Sequence, residues 1–161
     1  MTTLLQSPTT YTSPLPFIHE RIGAAALYCS DGRYGEQMDD FLHNALLLPH
    51  YDRVAIPGGA AALAGHLLAT RERIALERQI LFLIDAHQLE TLVFIAHENC
   101  GFYKQNLHPH KLKAKPLCEH QADDLRAAAH LLRLSRRHLD ISAYLAQRTP
   151  TDLVTFLPIR L

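Results

Sequence analysis

At 161 residues, with 48% apolar and 20% charged side chains, the chain has the size and make-up of one soluble globular domain with a real core. Sixteen basic side chains offset sixteen acidic ones, and the absence of a basic stripe or a like-charge block argues against a nucleic-acid partner. No apolar run approaches the ~20 residues that a membrane span needs, and three cysteines do not suit a disulfide framework.

Residues 1–16 are rich in Thr, Ser and Pro and have little periodicity, so they read as a mobile or extended N-terminal arm, either lying on a partner subunit or disordered. They lack the positive and apolar regions of a signal peptide, and thiols beside histidines suit a reducing compartment, so the expected location is cytoplasmic. Residues 17–161 are expected to form a single domain. Its first strand is 24–29. A helix over 35–48 follows, with Met38, Phe41, Leu42, Ala45 and Leu46 at the spacing of a core-facing stripe and Pro49 marking its end. A second strand, 53–56, is closed by Pro57-Gly58-Gly59. A short helix over 60–68 precedes a stronger one over 71–87, in which Ile74, Ile80, Leu81 and Ile84 can face a sheet. The third strand is 91–96.

The stretch 102–115, with its Lys, His and Pro, is the least regular and is expected to be a loop over the site. A long helix is expected over 121–147, with Leu125, Ala128, Ala129, Leu132 and Leu139 as core positions. Thr149-Pro150 breaks it, and 153–159 reads as a last strand. Strands alternating with helices point to an α/β domain on a mainly parallel sheet.

Two of the strands end in metal-ligand residue types. Tyr28-Cys29-Ser30-Asp31-Gly32-Arg33 follows the first, and Ala96-His97-Glu98-Asn99-Cys100-Gly101 ends the third. His97 and Cys100 place an imidazole and a thiolate on one turn, and Cys29 offers a second thiolate at the same sheet edge, where open α/β folds hold their ligands. In an extended segment Cys29, Asp31 and Arg33 point the same way. Arg33 can then clamp Asp31 with a bidentate pair and keep it ionised. Taken alone, Cys-x-Asp-x-Arg is equally a buried cysteine followed by a polar turn, and a lone His-x-x-Cys occurs by chance; together they suit Zn2+. Three ligands with an open position describe a catalytic zinc, which makes hydroxide from water near neutral pH. Asp31 either orients that nucleophile or occupies the fourth position and closes the site.

These motifs resemble the β-class carbonic anhydrases: Cys29-x-Asp31-x-Arg33, then His97-x-x-Cys100-Gly101, with Ala75-Leu76-Glu77-Arg78-Gln79-Ile80 and an apolar strand before the second motif. Pro57-Gly58-Gly59-Ala60 stands where the family has a glycine-containing active-site loop. The resemblance covers about residues 22–103. It implies a three-layer α/β fold, a homodimer or higher homo-oligomer, and zinc held by Cys29, His97 and Cys100, joined by Asp31 only in a closed state. Asp31 and Arg33 would be the catalytic dyad of a lyase of the carbonate dehydratase type. Such an enzyme hydrates carbon dioxide reversibly to bicarbonate through zinc-bound hydroxide, with Gly58, Gly59 and Gly101 as possible pocket residues.

The chain departs from the family pattern at Gly32, where a serine is usual, and at Ala55-Ile56-Pro57-Gly58-Gly59, which replaces Arg-Asn-Ala-Gly-Asn. It has no glutamine between Gln6 and Gln37. The chain therefore reads as a short, divergent member. Carbonyl sulfide or carbon disulfide remains an alternative substrate, and a non-catalytic zinc-stabilised scaffold an alternative role.

Gly58, Gly59 and Gly65 make no dinucleotide fingerprint, although their amides could hold an anion such as bicarbonate. Cys118 with His108, His110 and His120 is read as a loop in preference to a second metal site. Tyr28, Tyr34, Phe102 and Tyr103 are read as packing around the site.

Overall fold

Strand β1 (Ala24–Cys29) lies inside a five-stranded sheet of order β2-β1-β3-β4-β5, flanked by β2 (Asp52–Ile56) and β3 (Thr91–His97). Both neighbours run parallel to it, β4 (Asp140–Arg148) runs parallel to β3, and β5 (Val154–Ile159) closes the sheet antiparallel to β4. The computed structural model describes residues 10–65, 68 and 70–161. Every residue of β1, and all of β3 after Thr91, is buried. Both faces of these strands are covered, which is why their sequences are apolar runs without alternation.

The two faces carry separate cores. On one, Ala25, Leu27, Leu92 and Phe94 pack with Ile80, Ile84, Leu125 and Leu132 from helices α2 (Thr70–His87) and α5 (Leu117–Ser135). On the other, Ala24, Ala26, Val93 and Ile95 meet Met38 and Leu42. Met38 lies in α1 (Gly35–Asp40), which continues into a wider π-type turn, Phe41–Ala45, holding Leu42. The result is a three-layer α/β domain. The chain passes from β1 outward to β2, then returns across β1 to β3, so the direction of winding reverses between β1 and β3. Open α/β sheets bind ligands at the carboxyl ends of such a strand pair, and Cys29 and His97 stand at those two ends.

Several local expectations need correction. The stripe on the first helix is narrower than its spacing suggests: Ala45 is exposed, while Phe41 is half-buried and stacks on Phe156 of β5 at 4.1 Å. On α2, Ile80 and Ile84 are buried, but Ile74 is 44% exposed. The helix expected over 60–68 is a short 3-10 segment, Gly59–Ala64, and residues 66 and 67 lie outside the described residues. Of the N-terminal arm, residues 1–9 lie outside the described residues, and 10–16 are exposed with neither helix nor strand.

The stretch expected as a loop forms two short helices, α3 (Gly101–Asn106) and α4 (Pro109–Ala114). Buried Tyr103 and Leu107, four apart, anchor the first of these, and Pro109 starts the second. The largest correction concerns 121–147. α5 ends at Ser135, and 140–148 is strand β4, whose Ile141, Ala143 and Leu145 face one core while Ala146 joins the core on the other face. Leu139 is buried as expected, but just ahead of the strand. Among the described residues no helix is long and apolar enough to cross a membrane.

Candidate metal centre

Cys29 is the last residue of β1 and His97 the last of β3, so the sheet itself brings a thiol and an imidazole to one edge. Cys100 returns to them because the chain reverses at Asn99, which has a φ of 55°, a conformation that asparagine tolerates better than most residues. The turn is held by Glu98 N–H on the Ala146 carbonyl at 2.9 Å and by Arg148 Nε on Glu98 Oε1 at 3.0 Å, both from β4. Lys104 Nζ donates to Asn99 Oδ1 at 3.1 Å.

Cys29, His97 and Cys100 are all buried, and their ligand atoms lie within 4.8 Å of one another. The two Sγ atoms are 3.8 Å apart. His97 Nδ1 lies 2.8 Å from the Glu98 carbonyl, so the nitrogen that carries the proton faces outward. That leaves the Nε2 lone pair, which is buried and accepts no hydrogen bond from the described residues. A buried orphan acceptor is costly, and here it sits beside two thiols. The tilted Tyr34 ring, 4.6 Å from the imidazole, fixes the ring plane.

A hydrogen bond shared by the two cysteines lowers the Cys29 pKa against the opposing effect of burial; the His97 side chain and the backbone of Gly58 and Asp31 lower it further. The same bond, with burial, raises Cys100, opposed by a smaller effect of the Tyr103 and Phe102 backbone. Thiolate, imidazole and thiol with backbone donors behind the sulfurs form a donor set for a thiophilic divalent cation.

Asp31 lies outside this three-residue group. Arg33 Nε bonds its Oδ1 at 2.8 Å and the guanidinium also engages Oδ2, while the Arg33 backbone N–H reaches Oδ1 at 3.2 Å. The Arg33 hydrogen bonds hold the Asp31 carboxyl down at about 2, so it is ionised at neutral pH. The expected bidentate clamp is therefore present, though on a 3-10 turn, Gly32–Tyr34, that Asp31 itself caps, and not on extended chain.

The glycines expected near the pocket divide. Gly59, at φ 58°, presses so closely on β1 that an added Cβ would stand 2.9 Å from the Tyr28 carbonyl carbon, and Gly58, at φ 80°, lies under the Phe102 ring. An added Cβ at Gly101 would meet nothing within 4 Å. A cleft of about 280 Å³ lined by Arg33, Tyr34, Gln37, Glu98 and Arg148 borders the dyad. A larger one, about 680 Å³, lies away from this chemistry between β2 and α2.

The model of the family described as "Putative carbonic anhydrase" matches residues 19–147. The chain belongs to this family. Its fold is that of the β-carbonic anhydrases: it resembles the crystal structures of two tetrameric β-carbonic anhydrases from Sordaria macrospora, at TM-score 0.53 and 12% identity, over 86% of this chain and 81% of that one. The β-carbonic anhydrase CafA of Aspergillus fumigatus matches at TM-score 0.50 and 14% identity, over 88% of this chain and 78% of that one. An uncharacterized protein of Rickettsia bellii is 29% identical over 87 residues, 54% of this chain. The chain spans about half the length, 52%, of that relative. This is a divergent carbonic-anhydrase-family chain with a cluster able to hold a metal ion.

Two buried polar residues near the centre were absent from the sequence reading. Gln121 and Asp124 on α5 are 1% and 5% exposed. Their only sequence signal is polarity three apart within a helix that also carries the apolar stripe. The cysteine–histidine grouping around Cys118 does not assemble: Cys118 is packed half-buried against the core, and the one metal-competent group among the described residues is Cys29, His97 and Cys100.

Proposed function

We propose that the chain, through a single zinc-binding domain over 17–161, catalyses the reversible hydration of carbon dioxide to bicarbonate. The observation that carries this reading is the buried Cys29–His97–Cys100 triad with the free His97 Nε2, beside an Asp31 whose carboxylate is taken up by Arg33. Zinc held by those three residues supplies Lewis-acid activation of water near neutral pH.

The protein's own groups do the rest. Asp31, ionised and oriented by Arg33, accepts a hydrogen bond from the attacking water and sets its direction. Tyr34 keeps His97 in the orientation that presents Nε2, and the Glu98 carbonyl holds the tautomer. The backbone of Gly58 and Asp31 favours negative charge on the Cys29 sulfur. Engagement of Asp31 by Arg33 supports the catalytic reading over a scaffold in which Asp31 fills the metal's fourth position. The tetrameric state of the Sordaria enzymes supports a homo-oligomer, and the free thiols support a cytoplasmic location.

The test is stopped-flow hydration of carbon dioxide on protein of measured zinc content, from mildly acidic to alkaline pH. Turnover proportional to zinc is expected. A zinc-loaded protein inactive throughout would refute the carbon dioxide assignment, and carbonyl sulfide would be tried next.

A further inference from the structure

Helix α5 passes behind the ligand turn and directs two side chains at it. Gln121 Nε2 donates to the backbone carbonyl of His97 at 2.8 Å. One helical turn later, Asp124 Oδ2 accepts from the Tyr103 hydroxyl, also at 2.8 Å. Tyr103 is fully buried in α3, the helix that begins just after Cys100. One ligand is thus held through its carbonyl, and the other through the helix that begins beside it.

Neither polar residue suits a purely structural purpose. The positions around them on α5, Leu125, Ala128, Ala129 and Leu132, fill the same core with apolar groups. Burial of an amide and a carboxylate there is unfavourable unless their bonds are needed, and the Gln121 Oε1 accepts no hydrogen bond from the described residues. Each directs one hydrogen bond at the segment from His97 to Tyr103. Outer-shell bonds of this kind orient ligands and tune metal affinity.

We infer that Gln121 and Asp124 are positioning residues for the metal ligands, Gln121 by holding the His97 end of β3 and Asp124 by anchoring Tyr103, and with it the first turn of α3, beside Cys100. The inference rests on the reading of Cys29, His97 and Cys100 as a metal site. Loss of the Gln121 bond frees the His97 backbone to shift the imidazole. Loss of the Asp124–Tyr103 bond lets the first turn of α3 rotate away from the sulfur.

The experiment titrates Co2+ and Zn2+, in competition with a chelator, into wild type, Tyr103→Phe, Gln121→Met, Asp124→Asn and Leu132→Ala. Tyr103→Phe and Gln121→Met are expected to weaken affinity by about tenfold to a hundredfold and to shift the cobalt–thiolate absorption. Asp124→Asn keeps an acceptor for Tyr103 and should stay close to wild type. Leu132→Ala should lower the melting temperature but leave the cobalt spectrum unchanged. Wild-type affinity and spectrum in both Tyr103→Phe and Gln121→Met would overturn the inference, as would an equal loss in Leu132→Ala. If Tyr103→Phe fails to fold, Gln121→Met decides on the same two readouts. Wild type that takes up neither metal would refute the metal site itself, and the inference with it.

Discussion

Arg33 grips Asp31 side-on, with Nε 2.8 Å from Oδ1 and the guanidinium also bonded to Oδ2, although Arg33 is itself 79% exposed. An exposed ion pair contributes little to stability. The value of this one lies in what it prevents: Asp31 stays charged and does not turn toward the neighbouring sulfurs. Arg33→Ala should therefore leave the melting temperature nearly unchanged and the zinc content intact, yet lower carbon dioxide hydration by about a hundredfold or more. X-ray absorption should then report an added carboxylate oxygen on zinc. Full activity in Arg33→Ala would remove the dyad from the mechanism.

Removal of a ligand should have a different signature. Cys100→Ser is expected to lower zinc affinity by more than the roughly tenfold to hundredfold that outer-shell changes cost, with activity falling in proportion to lost metal. Metal analysis after dialysis checks this, and full retention of zinc would show that Cys100 is not a ligand.

The glycines beside the site give a test of packing. Gly59→Ala places a Cβ at φ 58° and 2.9 Å from β1 backbone, which cannot give way as a flexible side chain would. The left-handed conformation alone costs about 1–2 kcal/mol, so destabilisation of at least that size is expected in denaturant unfolding of the metal-free protein. Gly101→Ala, with open space at the added Cβ, should change stability by no more than about 0.5 kcal/mol. Equal effects would contradict the close approach of the loop to β1.

A pH-dependent contribution should come from the end of α5. Arg136 bonds both oxygens of Asp85 on α2, and these hydrogen bonds hold the Asp85 carboxyl below the usual carboxylate range. Because the folded pKa is the lower one, the pair stabilises the protein at pH above the unfolded value of about 4 and loses this contribution as pH falls through the folded value. Arg136→Gln should shift the urea midpoint slightly at neutral pH and hardly at all once the pH lies below the folded value, where Asp85 is protonated in both states. A shift of the same size at both pH values would rule out the ion pair as its source.

Residue type and order alone determined the inner strands and the chemistry at their ends. Ala24–Cys29 and Thr91–His97 are apolar because each is covered on both faces, and a run of that kind is legible without a structure. Cys29, His97 and Cys100 could be grouped because few donor types suit a soft cation and they stand at strand ends or one turn beyond. The segment 139–147 was not legible, since its apolar residues satisfy a helical stripe continuing from Leu132 as well as the alternation of a strand. Only the hydrogen bonds to β3, more than forty residues earlier in the chain, decide between them. The roles of Gln121 and Asp124 were hidden for the same reason. A polar residue on a helix is ordinarily solvated, and nothing local reveals that these two are buried against the His97 carbonyl and the Tyr103 hydroxyl. The donors could be read one residue at a time; their supports exist only where distant segments meet.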